Sequence, residues 1–458
     1  MDSTQLKKDL KTRHLTMISL GGVIGAGLFV GSGAVIHATG PAAFLSYLLA
    51  GLLVVLVMRM LGEMAAAYPA VGSFSQYARL ALGGWAGFSI GWLYWYFWVI
   101  VVAVEATAGA GILRFWFPQI PLWVMSLLLM ILLTLTNIAS VRSYGEFEFW
   151  FSSIKVAAIV VFLVLGVLFL LGFWPGSSAF NFTNLFAHGG FAPNGWGAIL
   201  RGIVIVIFSF MGSEIVTIAA GESSEPERAV AKATNSVIWR VLIFYVGSIF
   251  LVVTILPWND AAVLKSPYVS ALEVMHIPAA ADIMNVIVLT AVLSCLNSGL
   301  YTASRMLYVL AQRGEAPQYF LALNRHQVPM RAILCGTVIG YLSVIMAYVS
   351  PDRVFLFLVN SSGAVALFIY LLIAFSELKI RARLEKESPE RLRVKMWLYP
   401  YLTYATILGM LAVIISMAFM EDQRSQLLLS LLSFGVVLIA YGCLVWWKRD
   451  SSAQEVES

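Results

Sequence analysis

Gly22-Val23-Ile24-Gly25-Ala26-Gly27-Leu28-Phe29 lies in the middle of an apolar run from about Leu15 to Ile36. The run is long enough to cross a bilayer, which takes roughly 20 residues. Glycines at 21, 22, 25 and 27 fall where a membrane helix is held only by its own backbone bonds. In lipid, an unwound backbone survives only where it lines a cavity or is buried in protein. The freed amides and the half-helix start make a seat for an anion such as a carboxylate. Interrupted helices at this depth point to a transport site.

The rest of the chain agrees with a membrane setting. Of 458 residues, 60% are hydrophobic and 12% charged, and the mean hydropathy is +0.87. A soluble domain carries roughly 25% charged residues. The net charge of +5 does not indicate nucleic acid, because the basic residues sit in short loops between apolar runs. Cys295, Cys335 and Cys443 have neither disulfide-framework nor zinc spacing, and no histidine pairs with carboxylates at metal spacing. No GxxxxGK[ST] loop is present, so no ATP-binding subunit is implied, and no cofactor is expected.

Apolar runs near 15–37, 41–61, 85–112, 121–138, 151–172, 197–220, 237–256, 282–309, 330–350, 353–376, 397–419 and 426–447 predict twelve membrane spans in an all-α protein. Lys and Arg gather on one side: Lys7 to Arg13, Arg79, Arg142, Arg228, Lys232, Arg313, Arg325, Arg331, Lys379 to Lys395, Lys448 and Arg449. The other side keeps Arg114, Lys265, Arg353 and Arg424. This bias predicts both termini in the cytoplasm. Phe208-Ser209-Phe210-Met211-Gly212-Ser213-Glu214 breaks span 6 as the glycines break span 1. The two spans enter from opposite sides, five apart, as in a 5+5 inverted repeat. The expected organisation is a tail at 1–14, a first repeat at 15–172 and an extracellular loop at 173–196. A second repeat at 197–378, a basic cytoplasmic loop at 379–396, two further helices at 397–447 and a tail at 448–458 complete it.

The motifs GVIGAGLFVGS at 22–32, GEFEFWFSSIKV at 145–156, SFMGSEIVTIAAGES at 209–223 and SCLNSGLYTASRMLY at 294–308 occur in order. With them, the chain resembles the amino acid–polyamine–organocation superfamily, and within it the bacterial amino acid transporters. GSFSQYA at 72–78 and NSVIWRVLIFYVGSI at 235–249 look most like 4-aminobutyrate (GABA) permeases. The resemblance implies a LeuT-like fold with spans 1 and 6 broken. It implies a multi-pass protein of the bacterial cytoplasmic membrane, not an enzyme, that imports GABA or a similar zwitterion with protons by alternating access.

On that resemblance, the amides of Gly25, Ala26 and Gly27 bind the substrate carboxylate; close helix packing is the competing use of these glycines. The carbonyls of Val23 or Ile24, Phe208 and Met211, beside Gly212, face the ammonium, and the Phe208 ring is either a lid or ordinary packing. Lys155 lies a few residues into span 5, where sodium-coupled relatives bind sodium. Its ammonium would act as the coupling group against carbonyls of spans 1 and 8, unless it snorkels to the inner interface. Glu105 would attract the ammonium or accept a proton, and Glu214 belongs to an inner gate; either is otherwise a structural group. Ser294, Asn297, Ser298 and Tyr301 form a polar stripe on span 8. Ser361 and Ser362 add contacts or serve as interhelical glue. The competing readings are a permease for another amino acid, a sodium symporter or an exchanger. A membrane nutrient sensor would need a large signalling extension, which the short tails lack.

Overall fold

A computed structural model describes residues 24–29, 31–68, 73–139, 141–215, 238–261, 266–349 and 364–457, together with 17, 263 and 362. All regular structure among them is helical. Val23 and Ser361 lie outside the described residues, as do Lys7 to Arg13, Arg228, Lys232, Lys265 and Arg353 of the charge pattern.

Among the described residues, seven helical stretches are long and apolar enough to cross a membrane. One of them, Gly27–Ala67, takes in the second half of predicted span 1 and all of predicted span 2. A short turn of helix, α1 (Ala26–Phe29), leads to α2 (Gly31–Thr39), and a 3-10 turn at Gly40–Ala42 leads into α3 (Ala43–Ala67). Pro41 in that turn has no N–H to lose, which suits a helix start. An amphipathic α4 (Ser73–Leu82) precedes α5 (Gly84–Leu113), α6 (Leu122–Ala139) and α7 (Val141–Leu170). Then come α8 (Ala198–Phe210), a π-helical segment at Arg240–Gly247 running into α9 (Ser248–Ile255), and α10 (Pro267–Val274). The long α11 (Ala280–Gln312) is followed by α12 (Met330–Val349), α13 (Val365–Glu387), α14 (Tyr401–Phe419) and α15 (Glu421–Glu457).

The core pair is α5 with α11, which also packs on α7. Small residues permit the approach: a Cβ at Gly299 would stand 2.9 Å from Val102 and 3.2 Å from Trp98. At the periphery, α7 and α15 leave Val161, Val164, Leu432, Val436 and Ile439 exposed. Bare apolar helix faces of this kind suit lipid rather than water.

Two boundaries differ from the sequence expectation. The fifth span starts ten residues early, at Val141, because its first turns are polar yet face protein. The Tyr144 ring stacks on Tyr301 at 4.0 Å, and Glu148 is fully buried. Lys155 therefore sits halfway along α7, not near its end. The tenth span continues to Glu387, so the first half of the expected basic loop at 379–396 is helix. Arg381 holds it there through Glu63 at 2.6 Å and Glu385 at 2.8 Å, the latter one turn on.

Candidate functional site

At the expected first break, Ile24 and Gly25 are not helical, and helix begins at Ala26. Contacts explain why Gly25 and Gly27 carry no side chain. A Cβ at Gly25 would lie 2.8 Å from Glu105 Oε1 and 3.0 Å from Cys295 Cβ. A Cβ at Gly27 would lie 2.6 Å from Ser209 Oγ and 3.0 Å from the Ser209 Cα. The break is thus pressed against α5, α11 and α8 together.

The second break follows α8. Met211 is extended (φ −60°, ψ 139°) and Gly212 has φ +104°, a conformation side chains resist. Polar groups take up the loosened backbone, as burial demands. Gly212 N–H donates to Glu214 Oε1 (3.0 Å), and Ser213 Oγ donates to the Phe210 carbonyl (2.9 Å). Two residues of the π segment brace it. Tyr245 OH donates to the Ser209 carbonyl (3.1 Å), and Arg240 Nη2 donates to Ser213 Oγ (2.6 Å). Tyr370 on α13 donates to Glu214 Oε2 (3.3 Å). Gly212→Ala forces the unfavourable φ and brings a Cβ to 3.1 Å from Trp98. We expect a loss of about 1–3 kcal/mol, seen as a lowered unfolding temperature of the detergent-solubilised protein.

The two non-helical stretches meet at one tight hollow, with about 10 Å³ of space for water, lined by Gly25, Gly27, Phe97, Trp98, Val101, Glu105, Phe208, Ser209, Met211 and Cys295. Five residues singled out in the sequence are therefore neighbours: Gly25, Gly27, Glu105, Phe208 and Met211. Phe208 lines the hollow while also packing on Phe97, with ring centres 5.8 Å apart. Ala26 is described in its backbone only.

Lys155 stands beside the first break. It is wholly buried, so it does not snorkel. Its Nζ donates to the Ile24 carbonyl (2.9 Å) and to Ser294 Oγ on α11 (2.8 Å). Asn297 and Tyr301 do not line the hollow. Asn297 accepts from Asn137 Nδ2 on α6 (2.7 Å), and Tyr301 is sandwiched between Tyr144 and the Arg305 guanidinium, 4.1 Å away. Ser362 is buried away from the hollow's lining.

Sequence reading passed over Val101, Cys295, Glu148 and Arg240 as site residues; Trp98 belongs to the aromatic run Trp92–Trp98, part of which was expected to pack against the first span near the site. Trp98, Val101 and Glu105 recur at helical spacing, so Glu105 marked their face of α5. Glu148, Ser152 and Lys155 share a face of α7 in the same way. Cys295 adjoins Ser294 but was considered only for disulfides and metals.

Comparison with known proteins places the chain in a family. The amino acid permease family model matches residues 14–457. The chain belongs to the amino acid permease family. It is 62% identical over 447 residues to the gamma-aminobutyric acid permease of Bacillus subtilis (strain 168), covering 98% of this chain and 95% of that protein. With the gamma-aminobutyric acid permease of Escherichia coli (strain K12) it shares 50% over 451 residues, 97% of this chain and 96% of the other. An aromatic amino acid transport protein of Corynebacterium glutamicum is 40% identical over 440 residues, 95% and 93% of the two chains. The chain is accordingly a permease of the amino acid–polyamine–organocation superfamily and not an enzyme. Its apolar helices make it a multi-pass membrane protein.

Proposed function

We propose that this permease imports GABA, or a closely similar zwitterion, by proton symport with alternating access. The proposed setting is a bacterial cytoplasmic membrane, with both termini inside. The observation that carries the coupling is the Lys155 ammonium held between the Ile24 carbonyl of the first break and Ser294 of α11. A cation in that place leaves no room for sodium, so the sodium reading is weaker. The GABA assignment draws on the relatives named as gamma-aminobutyric acid permeases. Among the described residues, the seven long apolar helices and the shorter ones between them are consistent with a 5+5 repeat over 15–172 and 197–378 and two added helices at 397–447.

In this reading the amides of Gly25, Ala26 and Gly27 hold the carboxylate. The Phe208 and Met211 carbonyls, at the end of α8, face the ammonium together with Glu105. GABA separates its charges further than an α-amino acid does, which favours a carboxylate set back on α5. Glu214, braced by Tyr370, sits at the gate below the second break. The proton motive force suffices: about 2.3 kcal/mol per charge per 100 mV supports about a fiftyfold gradient.

Uptake of labelled GABA into proteoliposomes tests the reading, with imposed pH and sodium gradients and competing amino acids. Stimulation by an inward proton gradient and indifference to sodium is the expected result; sodium-driven uptake rejects it. Glu105→Gln is expected to raise the KM for GABA about tenfold, the worth of one charge-assisted hydrogen bond of about 1.5 kcal/mol. An unchanged KM and rate removes Glu105 from the site.

A further inference from the structure

Glu148 is a fully buried carboxylate on α7, and nothing in the transport reading uses it. Its Oε1 accepts hydrogen bonds from Ser152 Oγ (2.9 Å) and from Ser294 Oγ (2.6 Å). Ser294 is the same hydroxyl that accepts from Lys155 Nζ at 2.8 Å. The three groups form a line of hydrogen bonds pointing one way, from ammonium to hydroxyl to carboxylate. Oε2 of Glu148 is buried and has no hydrogen-bond partner among the described residues. The other ionisable groups acting on Lys155 are Glu105 on α5, Cys295 on α11 and Arg240 in the π segment.

We propose that Glu148 is the proton partner of Lys155, reached through the Ser294 hydroxyl; this rests on the proton-symport reading. In the step, an N–H bond of Nζ breaks and that proton joins Ser294 Oγ. The hydroxyl gives its own proton to Glu148 Oε1. The ammonium becomes an amine, the carboxylate becomes a carboxylic acid, and the serine is unchanged. An ion pair turns into a neutral pair at constant total charge. That matters in a buried site, where a lone charge is costly but a pair is tolerated.

The transfer also acts on the first break. A neutral amine holds the Ile24 carbonyl less strongly than an ammonium, since charge-assisted hydrogen bonds are about twice as strong. Moving one proton along the line therefore loosens the backbone on which substrate would sit. The proton leaves the pair from the carboxylic acid once that side of the site is wetted.

The test measures protons taken up per GABA in proteoliposomes, alongside GABA counterflow without gradients. The wild type comes first: if GABA uptake carries no protons, the symport reading fails, and Glu148 loses its role with it. Given a coupled wild type, Glu148→Gln is expected to keep counterflow and lose at least about tenfold in proton-driven uptake, with a flattened pH profile. Glu148→Asp is expected to recover part of the coupling. Ser294→Ala cuts the line while leaving both ionisable groups, and is expected to match Glu148→Gln. Ser153→Ala, whose hydroxyl donates to the Phe149 carbonyl, is the control. Wild-type proton stoichiometry and pH profile in Glu148→Gln overturn the proposal. Should that variant not reach the membrane, the same result in Ser294→Ala overturns it, and loss of coupling there supports it.

Discussion

Lys155→Ala is expected to leave uptake indifferent to an imposed pH gradient. The side chain supplies two charge-assisted hydrogen bonds, to the Ile24 carbonyl and to Ser294. Each such bond is worth about 1.5–3 kcal/mol, and about 1.4 kcal/mol is tenfold. Proton-driven uptake should fall by a factor of about a hundred or more. Lys155→Arg separates charge from titration. A guanidinium keeps its proton under all conditions of interest and presents a bulkier fork. It should preserve some binding yet still abolish the response to pH. The measurement is GABA uptake and accompanying proton flux at matched gradients, and undiminished proton flux in Lys155→Ala would refute the coupling role.

Gly27→Val should be nearly as damaging for a different reason. A Cβ there meets the Cα of Ser209 at 3.0 Å, and backbone cannot swing aside as a side chain can. Nor is Ser209 free to retreat, because its carbonyl is held by Tyr245. Overpacking of this sort costs about 1–3 kcal/mol and would wedge the two breaks apart. Uptake should drop at least about tenfold while the protein still reaches the membrane. Gly111, near the end of α5, has nothing within 4 Å of a built Cβ. Gly111→Ala should therefore leave uptake intact, and equal losses at both positions would show that helix glycines matter here only in general.

Much of this site was legible in the chain. The glycines near Ile24 and the Met211-Gly212 corner disrupt otherwise unbroken apolar runs, and Ile24, Gly25 and the residues after Phe210 are non-helical where the structure describes them. Lys155 stood out because an ionisable lysine among Phe, Ile and Val calls for either a functional role or snorkelling to the interface. The start of α7 was not legible. Tyr144, Glu146 and Glu148 read locally as a wet helix end, while the partner that buries Glu148 lies 146 residues away on α11. Val101 was hidden for the opposite reason. In α5 almost every side is apolar and covered, so hydrophobic contrast picks out no single face. The π segment left no trace at all, since nothing in Arg240 to Gly247 distinguishes one hydrogen-bond register from another.

That segment sets a mechanical condition on the cycle. Arg240 and Tyr245 are five residues apart, and both hold the second break. In an α-helix each residue turns the chain by about 100°, so such a pair points about 140° apart. Bonds from i to i+5 bring them back towards one side. A slip into ordinary α register would swing one of them off its partner, like an escapement releasing a tooth. The loosened end of α8 must then either travel with its neighbour as one rigid piece or let go of exactly one of two catches.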